Sequence, residues 1–300
     1  MTKLLAIDLG GTNVEFALVD KKGKLECRQQ IKTPRSLESL LEEIKHQLNQ
    51  YKNEDIQGIA ISSPGSVGDD GVIYGASAIP YIHGPNIQQL IEEVSGLAVE
   101  IENDANCAAL AEIWQGSAKG KKEVAVIVIG TGIGGALIHE GQLVKGAHLH
   151  AGEFGYMILD PNQLGSGMNT FSELASSYSI IKRVAQAKAV DPVSLTGEEI
   201  FQAAEAGDQA CQRAIDQFFR SLALGIYNVQ YAYDPELILI GGGISTRPDL
   251  IDKVNDQLET IVHSVDVAKI TPTIDTCHFK QNANMIGATY HFITKQEGKD

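Results

Sequence analysis

Asn103-Asp104-Ala105-Asn106 stands where a strand hands over to a helix. The apolar run Leu97-Ala98-Val99-Glu100-Ile101 precedes it, and the helical pattern Cys107 to Trp114 follows. Asp104 therefore falls in the cap or first turn of a helix. Free backbone N–H groups and partial positive charge there favour an ionised carboxylate. At the mouth of an α/β sheet, such a group is placed to accept a proton from a substrate hydroxyl. An ordinary N-cap uses the same residues, so the surrounding motifs must decide between the two readings.

Two glycine turns, each carrying a threonine, are the first of these motifs. Leu4 to Leu9 reads as a strand with Asp8 near its end; Gly10-Gly11-Thr12-Asn13 turns the chain into a second strand, Val14 to Val19. Backbone without a Cβ can approach a ligand closely, and its N–H groups with the Thr12 hydroxyl can face a phosphate. Asp8 can hold Mg²⁺, directly or through water. A plain β-hairpin is the competing reading. The unit recurs: Glu123 to Ile129 is a strand, Gly130-Thr131-Gly132-Ile133-Gly134-Gly135 a turn, and Ala136 to His139 a strand again. A dinucleotide fingerprint matches in part, but it needs a helix next, and the residues that follow are strand-like. Two such hairpins suggest related subdomains clamping one polyphosphate.

Three further stretches could bind a ligand. A strand from Ile56 to Ser62 runs into Ser63-Pro64-Gly65, either a binding loop on the carboxyl edge of a sheet or a simple turn. In Ala147 to Tyr156, Glu153 lies between glycines and is followed by Tyr156, which reads as a polar contact to a small ligand. His148 and His150 alternate along an extended segment. Without a third ligand nearby they read as hydrogen-bonded loop residues rather than a metal site. Gly241-Gly242-Gly243, after the strand Leu237 to Ile240, offers bare backbone for an adenine and ribose, or a strand-to-helix turn.

The elements that must position these residues alternate between the two periodicities. A third strand lies near Leu25 to Ile31. Helices are expected over Ser36 to Tyr51, with Ser36 as cap, and over Asn86 to Val94. One starts at Phe171, and others cover Gly197 to Ala206 and Asp208 to Tyr233, the latter softly broken near Gly225. Arg247 to His263 and Asn284 to Thr294 complete the set, with Lys295 to Asp300 as a frayed tail. The 300 residues, 43% hydrophobic, suffice for one large or two moderate domains. The net charge of −14 argues against a nucleic-acid partner but leaves ATP open, since backbone N–H groups and a divalent cation can hold its phosphates. Cys27, Cys107, Cys211 and Cys277 are scattered and read as reduced core residues of a cytosolic protein. No signal-peptide layout or membrane-spanning stretch is expected.

Taken in order, these motifs resemble the actin-like ATPase (ribonuclease H-like) superfamily of sugar kinases, and within it the ROK family (repressor, open reading frame, kinase). The resemblance rests on Asp8 to Thr12, Ser63 to Gly65, Glu102 to Asn106, Gly130 to Gly135, Ala151 to Gly155 and Gly241 to Gly243. It implies an α/β fold of two domains with a cleft between them. The first spans 1–115 and is completed by the C-terminal helix 283–300; the second spans 116–282. It further implies Asp104 as catalytic base, and Gly65, Asn103, Asp104, Glu153, Tyr156 and Glu173 at the sugar. Asp8, Gly10, Gly11, Thr12, Gly130, Thr131, Gly132, Gly242 and Gly243 fall at ATP, with Mg²⁺ near Asp8. A cytoplasmic homodimer without nucleic-acid or membrane partners is expected. Most of the family has a zinc-binding histidine where this chain has Tyr156 and a cysteine cluster where Leu164 to Phe171 has none, so no zinc site is expected. The Gly152-Glu153-Phe154-Gly155-Tyr156-Met157 version looks like the family's β-glucoside kinases, which phosphorylate the 6-hydroxyl of the non-reducing glucosyl unit of cellobiose. A ROK hexose kinase acting on glucose, fructose or N-acetylmannosamine is the alternative. A non-catalytic sugar sensor is a remote one.

Overall fold

Alternating apolar strands and capped amphipathic helices build the molecule, a computed structural model that describes residues 2–298. Strands β1 (Lys3–Leu9), β2 (Asn13–Asp20) and β3 (Leu25–Lys32) lead into α1 (Leu37–Gln50). Then come β4 (Ile56–Ser63), the short β5 (Ser66–Val67) and β6 (Ile73–Tyr74), α2 (Ile87–Ser95), β7 (Ala98–Asn103) and α3 (Asp104–Gln115). β8 (Val124–Ile129), β9 (Ile133–His139) and β10 (Gln142–Val144) are followed by α4 (Phe171–Ala175), α5 (Ser177–Lys188), α6 (Gly197–Glu205) and α7 (Gln209–Tyr233). β11 (Leu237–Gly242), α8 (Leu250–His263), β12 (Ile274–Thr276) and α9 (Ala283–Glu297) close the chain.

These elements group into two units. One takes the chain up to Lys119, Lys145–His150 and the chain from Gln281 on; the other takes Gly120–Val144 and Ala151–Lys280. The first holds a sheet ordered β3-β2-β1-β4-β7, in which β1 to β3 form an antiparallel meander and β4 and β7 run parallel to β1. The second repeats the order as β10-β9-β8-β11-β12, again with a meander and two parallel strands. This sheet, present in each unit, is the ribonuclease H-like arrangement of actin-like ATPases.

Each sheet is held by fully buried aliphatic residues. Leu5, Ile7, Ile59, Ile61 and Val99 cluster with Leu40 and Ile44 of α1 and Ile87 and Ile91 of α2. In the second unit Ile127, Ile129, Ile238 and Ile240 join Phe218, Leu222 and Ile226 of α7 and Leu250, Val254 and Leu258 of α8. Each such side chain contributes roughly 1.5–3 kcal/mol on burial. Ser36, Asn86 and Asp208 cap α1, α2 and α7 by accepting backbone N–H groups one turn ahead.

The structure departs from the sequence reading at several points. Helix α7 runs unbroken through Gly225, where the Phe171 ring occupies the space a Cβ would need. Helix α8 starts at Leu250 rather than Arg247. Pro248 disfavours helical backbone at the residue before it, and Arg247 is extended with ψ 128°. Helix α9 continues through Lys295 to Glu297; Lys299 and Asp300 of the expected tail lie outside the described residues. Cys27 is exposed, while the other three cysteines are buried. The stretch holding His148 and His150 is a turn, with Leu149 at φ 61°, so the two histidines do not alternate along a strand. Helix α5 and strand β12 were not anticipated. Among the described residues, no helix is long and apolar enough to cross a membrane.

Candidate active site

In the first unit, the carboxyl ends of β1, β4 and β7 share one sheet edge. Register places Asp8 opposite Ser62 and Ser63 opposite Asn103. The helix cap is Asn103, not Asp104. The Asn103 Oδ1 accepts the N–H groups of Ala105 (2.9 Å) and Asn106 (3.1 Å), which sets Asp104 in the first turn of α3. Asn103 Nδ2 donates to the Gly65 carbonyl at 3.0 Å, joining two of the three sugar-binding candidates of this unit. Gly65 has φ 99°, and a Cβ there would meet His83, Ile73 and Tyr74 at 2.9 Å, so the turn admits only glycine without strain. Asp104 Oδ1 accepts the Ala105 N–H at 2.8 Å.

Asp8 ends β1 beside the Gly10–Thr12 turn. It accepts hydrogen bonds from Ser62 Oγ (2.8 Å) and from Asn284 Nδ2 of α9 (3.1 and 3.2 Å). Burial pushes its carboxyl up to about 6; the Asp104 and Glu15 charges add to the rise, and the two hydrogen bonds oppose it. The turn itself is closed by Gly10 N–H on Asn13 O (3.0 Å) and by the Thr33 hydroxyl on Gly10 O (2.6 Å), with Gly11 and Thr12 exposed.

In the second unit, the Gly130 N–H donates to Gly132 O at 2.8 Å, and the Ile133 N–H to Ser172 Oγ at 2.7 Å. Thr131 lines a polar cavity of about 200 Å³ with Ser172, Glu173, Ser176, Ser179 and Lys182. Glu173 is partly committed: its Oε2 accepts the Asn169 and Thr170 N–H groups at 3.0 Å in a capping box with Thr170. Those bonds hold its carboxyl below the usual range. Glu153 is half-buried just before the short turn Phe154–Tyr156, while Tyr156 is 74% exposed. Of the late glycines, Gly242 has φ 88° and the Ile129 backbone fills the space of a Cβ, so packing alone demands it. Gly243 faces open space and keeps bare backbone available.

Sequence reasoning missed the residues that support these groups. Ser62 and Asn284 carry no local signal, because they reach Asp8 from other elements. Glu102 lies within the Asn103 motif but was given no role. It is fully buried and accepts the Asn103 N–H (2.8 Å) and Asn106 Nδ2 (2.9 Å), while Lys145 Nζ lies 3.0 Å from its other oxygen.

A family profile described as the ROK family matches residues 4–295. The chain belongs to the ROK family. It is 35% identical over 297 residues to a β-glucoside kinase of Listeria monocytogenes, covering 98% of each chain. It is 36% identical over 297 residues to a β-glucoside kinase of Klebsiella pneumoniae, covering 97% of this chain and 96% of that one. A solved ROK-family protein of Streptococcus pneumoniae, crystallised with sucrose, superposes with a TM-score of 0.91 at 37% identity over 99% of both chains. ROK-family membership and the two ribonuclease H-like sheets agree with the resemblance drawn from the motifs.

Proposed function

We propose that this ATP-dependent sugar kinase phosphorylates the 6-hydroxyl of the non-reducing glucosyl unit of cellobiose or a similar β-glucoside. The observation that carries the reading is the Asp104 carboxylate in the first turn of α3, next to an Asn103 cap fastened to Gly65. Those three positions hold and aim an acceptor hydroxyl. The β-glucoside kinases of Listeria and Klebsiella support the acceptor class; the Streptococcus relative was crystallised with sucrose, an α-glucoside, which supports a disaccharide-sized ligand only.

Phosphoryl transfer depends on alignment and charge neutralisation more than on a strong base. Asp104 aims the sugar oxygen at the γ-phosphorus and takes its proton as the new P–O bond forms. The bond from that phosphorus to the β–γ bridging oxygen breaks, and ADP leaves with the electron pair. Gly10, Gly11 and Thr12 hold phosphates through backbone N–H groups and hydroxyls, as do Gly130, Thr131 and Gly132. Gly243, with Gly242 beside it, approaches the nucleoside. The Glu153 and Glu173 carboxylates serve sugar hydroxyls, and Tyr156 shapes the pocket for the second ring or stacks on it.

Among the described residues, no three His, Cys, Asp or Glu side chains converge on a metal-binding group. Asp8 nonetheless fits Mg²⁺: it is a half-buried carboxylate whose hydrogen-bond donors, Ser62 and Asn284, are neutral. One such oxygen suits an ion otherwise held by water and phosphates, which neutralises phosphate charge when bound.

ATP turnover on cellobiose, gentiobiose, glucose, fructose and N-acetylmannosamine tests the acceptor. The highest kcat/KM is expected on the disaccharides, and a monosaccharide optimum overturns the substrate class. The Asp104→Asn variant is expected to fold and to lose about 10²–10⁴-fold in kcat. Full turnover in that variant removes Asp104 as the base.

A further inference from the structure

Glu102 and Lys145 stand behind the Asn103–Asp104 turn. Glu102 Oε1 takes two donors, the Asn103 N–H at 2.8 Å and Asn106 Nδ2 at 2.9 Å, from residues on either side of Asp104. Its Oε2 lies 3.0 Å from Lys145 Nζ, and the Glu102 side chain is 0% exposed against 20% for that of Lys145. His291 Nε2 of α9 is 4.0 Å from the same oxygen, but burial lowers its pKa from 6.5, which leaves it neutral at pH 7. The positive charge facing Glu102 is thus the Lys145 ammonium. Asp69 lies 3.9 Å from that ammonium and is engaged by Lys295 at 3.2 Å. Lys145 opens the short stretch Lys145–His150, which leaves β10 and groups with the first unit.

We propose that Lys145 is a positioning residue for Asp104, acting through Glu102. The inference rests on the reading of Asp104 as proton acceptor. Removing one partner of a buried ion pair leaves an uncompensated charge, which is strongly destabilising. The ionised Glu102 clamps Asn103 and Asn106 with one oxygen while Lys145 holds the other. Without the ammonium, Glu102 is left as an uncompensated buried charge, the chain around it shifts to relieve that charge, and the turn between the two donors loosens. A shift of about 1 Å in a reacting group can cost on the order of 10²-fold in rate.

The test uses the full chain, with kcat and both KM values measured for five variants and folding checked by circular dichroism. Lys145→Met is expected to lower kcat by about 10–100-fold while KM for ATP stays within about 2-fold. Lys145→Arg restores most of the loss. Adding Glu102→Gln to Lys145→Met also recovers kcat, because a neutral amide oxygen accepts the same two bonds without a counter-charge. Where Lys145→Met fails to fold, the double variant is compared with Glu102→Gln alone: equal kcat supports the proposal and a further loss overturns it. An unchanged kcat in Lys145→Met beside an inactive Asp104→Asn overturns the positioning role alone. An active Asp104→Asn overturns the proton-acceptor reading and this inference with it.

Discussion

Burial lifts the Asp8 carboxyl from its ordinary 3.8 to about 6, so the folded chain holds a proton that the unfolded chain has already released. Stability is therefore lost as pH rises from about 4 through 6, and the ionised group costs up to about 3 kcal/mol above that window. An asparagine keeps an acceptor for Ser62 and Asn284 but carries no charge. Asp8→Asn is expected to unfold at a higher urea concentration than the natural chain at pH 7.5, with the gap closing toward pH 4.5. A gap independent of pH sinks the explanation. The charge is retained at this cost because the proposed role of Asp8, as an oxygen donor to Mg²⁺, requires it. Tyr156 is a second test at this scale. Its ring is 74% exposed, which leaves its face available to stack on a second sugar ring. Tyr156→His is expected to lower kcat/KM on cellobiose by a few-fold and leave glucose unchanged, a loss of about 1 kcal/mol in stacking. An unchanged preference between the two sugars removes that role.

Among the elements, α7 makes the clearest test of packing against propensity. Gly225 lies inside a 25-residue helix, where glycine costs about 1 kcal/mol relative to alanine. The fully buried Phe171 ring nonetheless sits where the alanine methyl would go. Overpacking a core costs about 1–3 kcal/mol, more than the propensity gain. Gly225→Ala is thus expected to lower stability by about 1–2 kcal/mol in urea titration, and Phe171→Leu to relieve part of that loss in the double variant. A stabilised Gly225→Ala contradicts the account. The same residue shows what the sequence could convey. Periodicity and caps exposed β1, β2, α1 and β7, and the strand-to-helix handover isolated Asp104, because those signals are local. A glycine that breaks a helix and one that admits an aromatic ring look alike until Phe171 is placed. Asn284 on Asp8 and Lys145 on Glu102 are contacts across 276 and 43 positions, with no trace in either local pattern. Helix α5 was hidden by the serines around its start: Ser176, just before it, both ends α4 and caps α5.

For the whole molecule, the same fold could serve a kinase or a sensor that binds sugar and stops. The intact Asp8, Asp104 and threonine turns speak for the kinase but do not measure it, since binding and turnover draw on the same turns. Ligand linkage does. A sugar at 100 times its Kd stabilises the native state by about 2.7 kcal/mol, a rise of roughly 5–10 °C in Tm at 2–4 °C per kcal/mol. Cellobiose is expected to raise Tm of the natural chain and of Asp104→Asn by similar amounts, because the substitution removes a charge and leaves the Asn103 cap and its bond to Gly65 in place. Turnover should survive only in the natural chain. Nucleotide must be captured differently: at a net charge of −14 the molecule repels phosphates at long range, so affinity has to come from short-range N–H groups and a cation. An ATP analogue with Mg²⁺ should accordingly raise Tm, and omitting Mg²⁺ should remove most of that rise while leaving the cellobiose effect intact. A sugar-induced rise in the natural chain without any ADP formation identifies a sensor. A matching rise in both chains, with turnover in one, assigns Asp104 to chemistry rather than to binding.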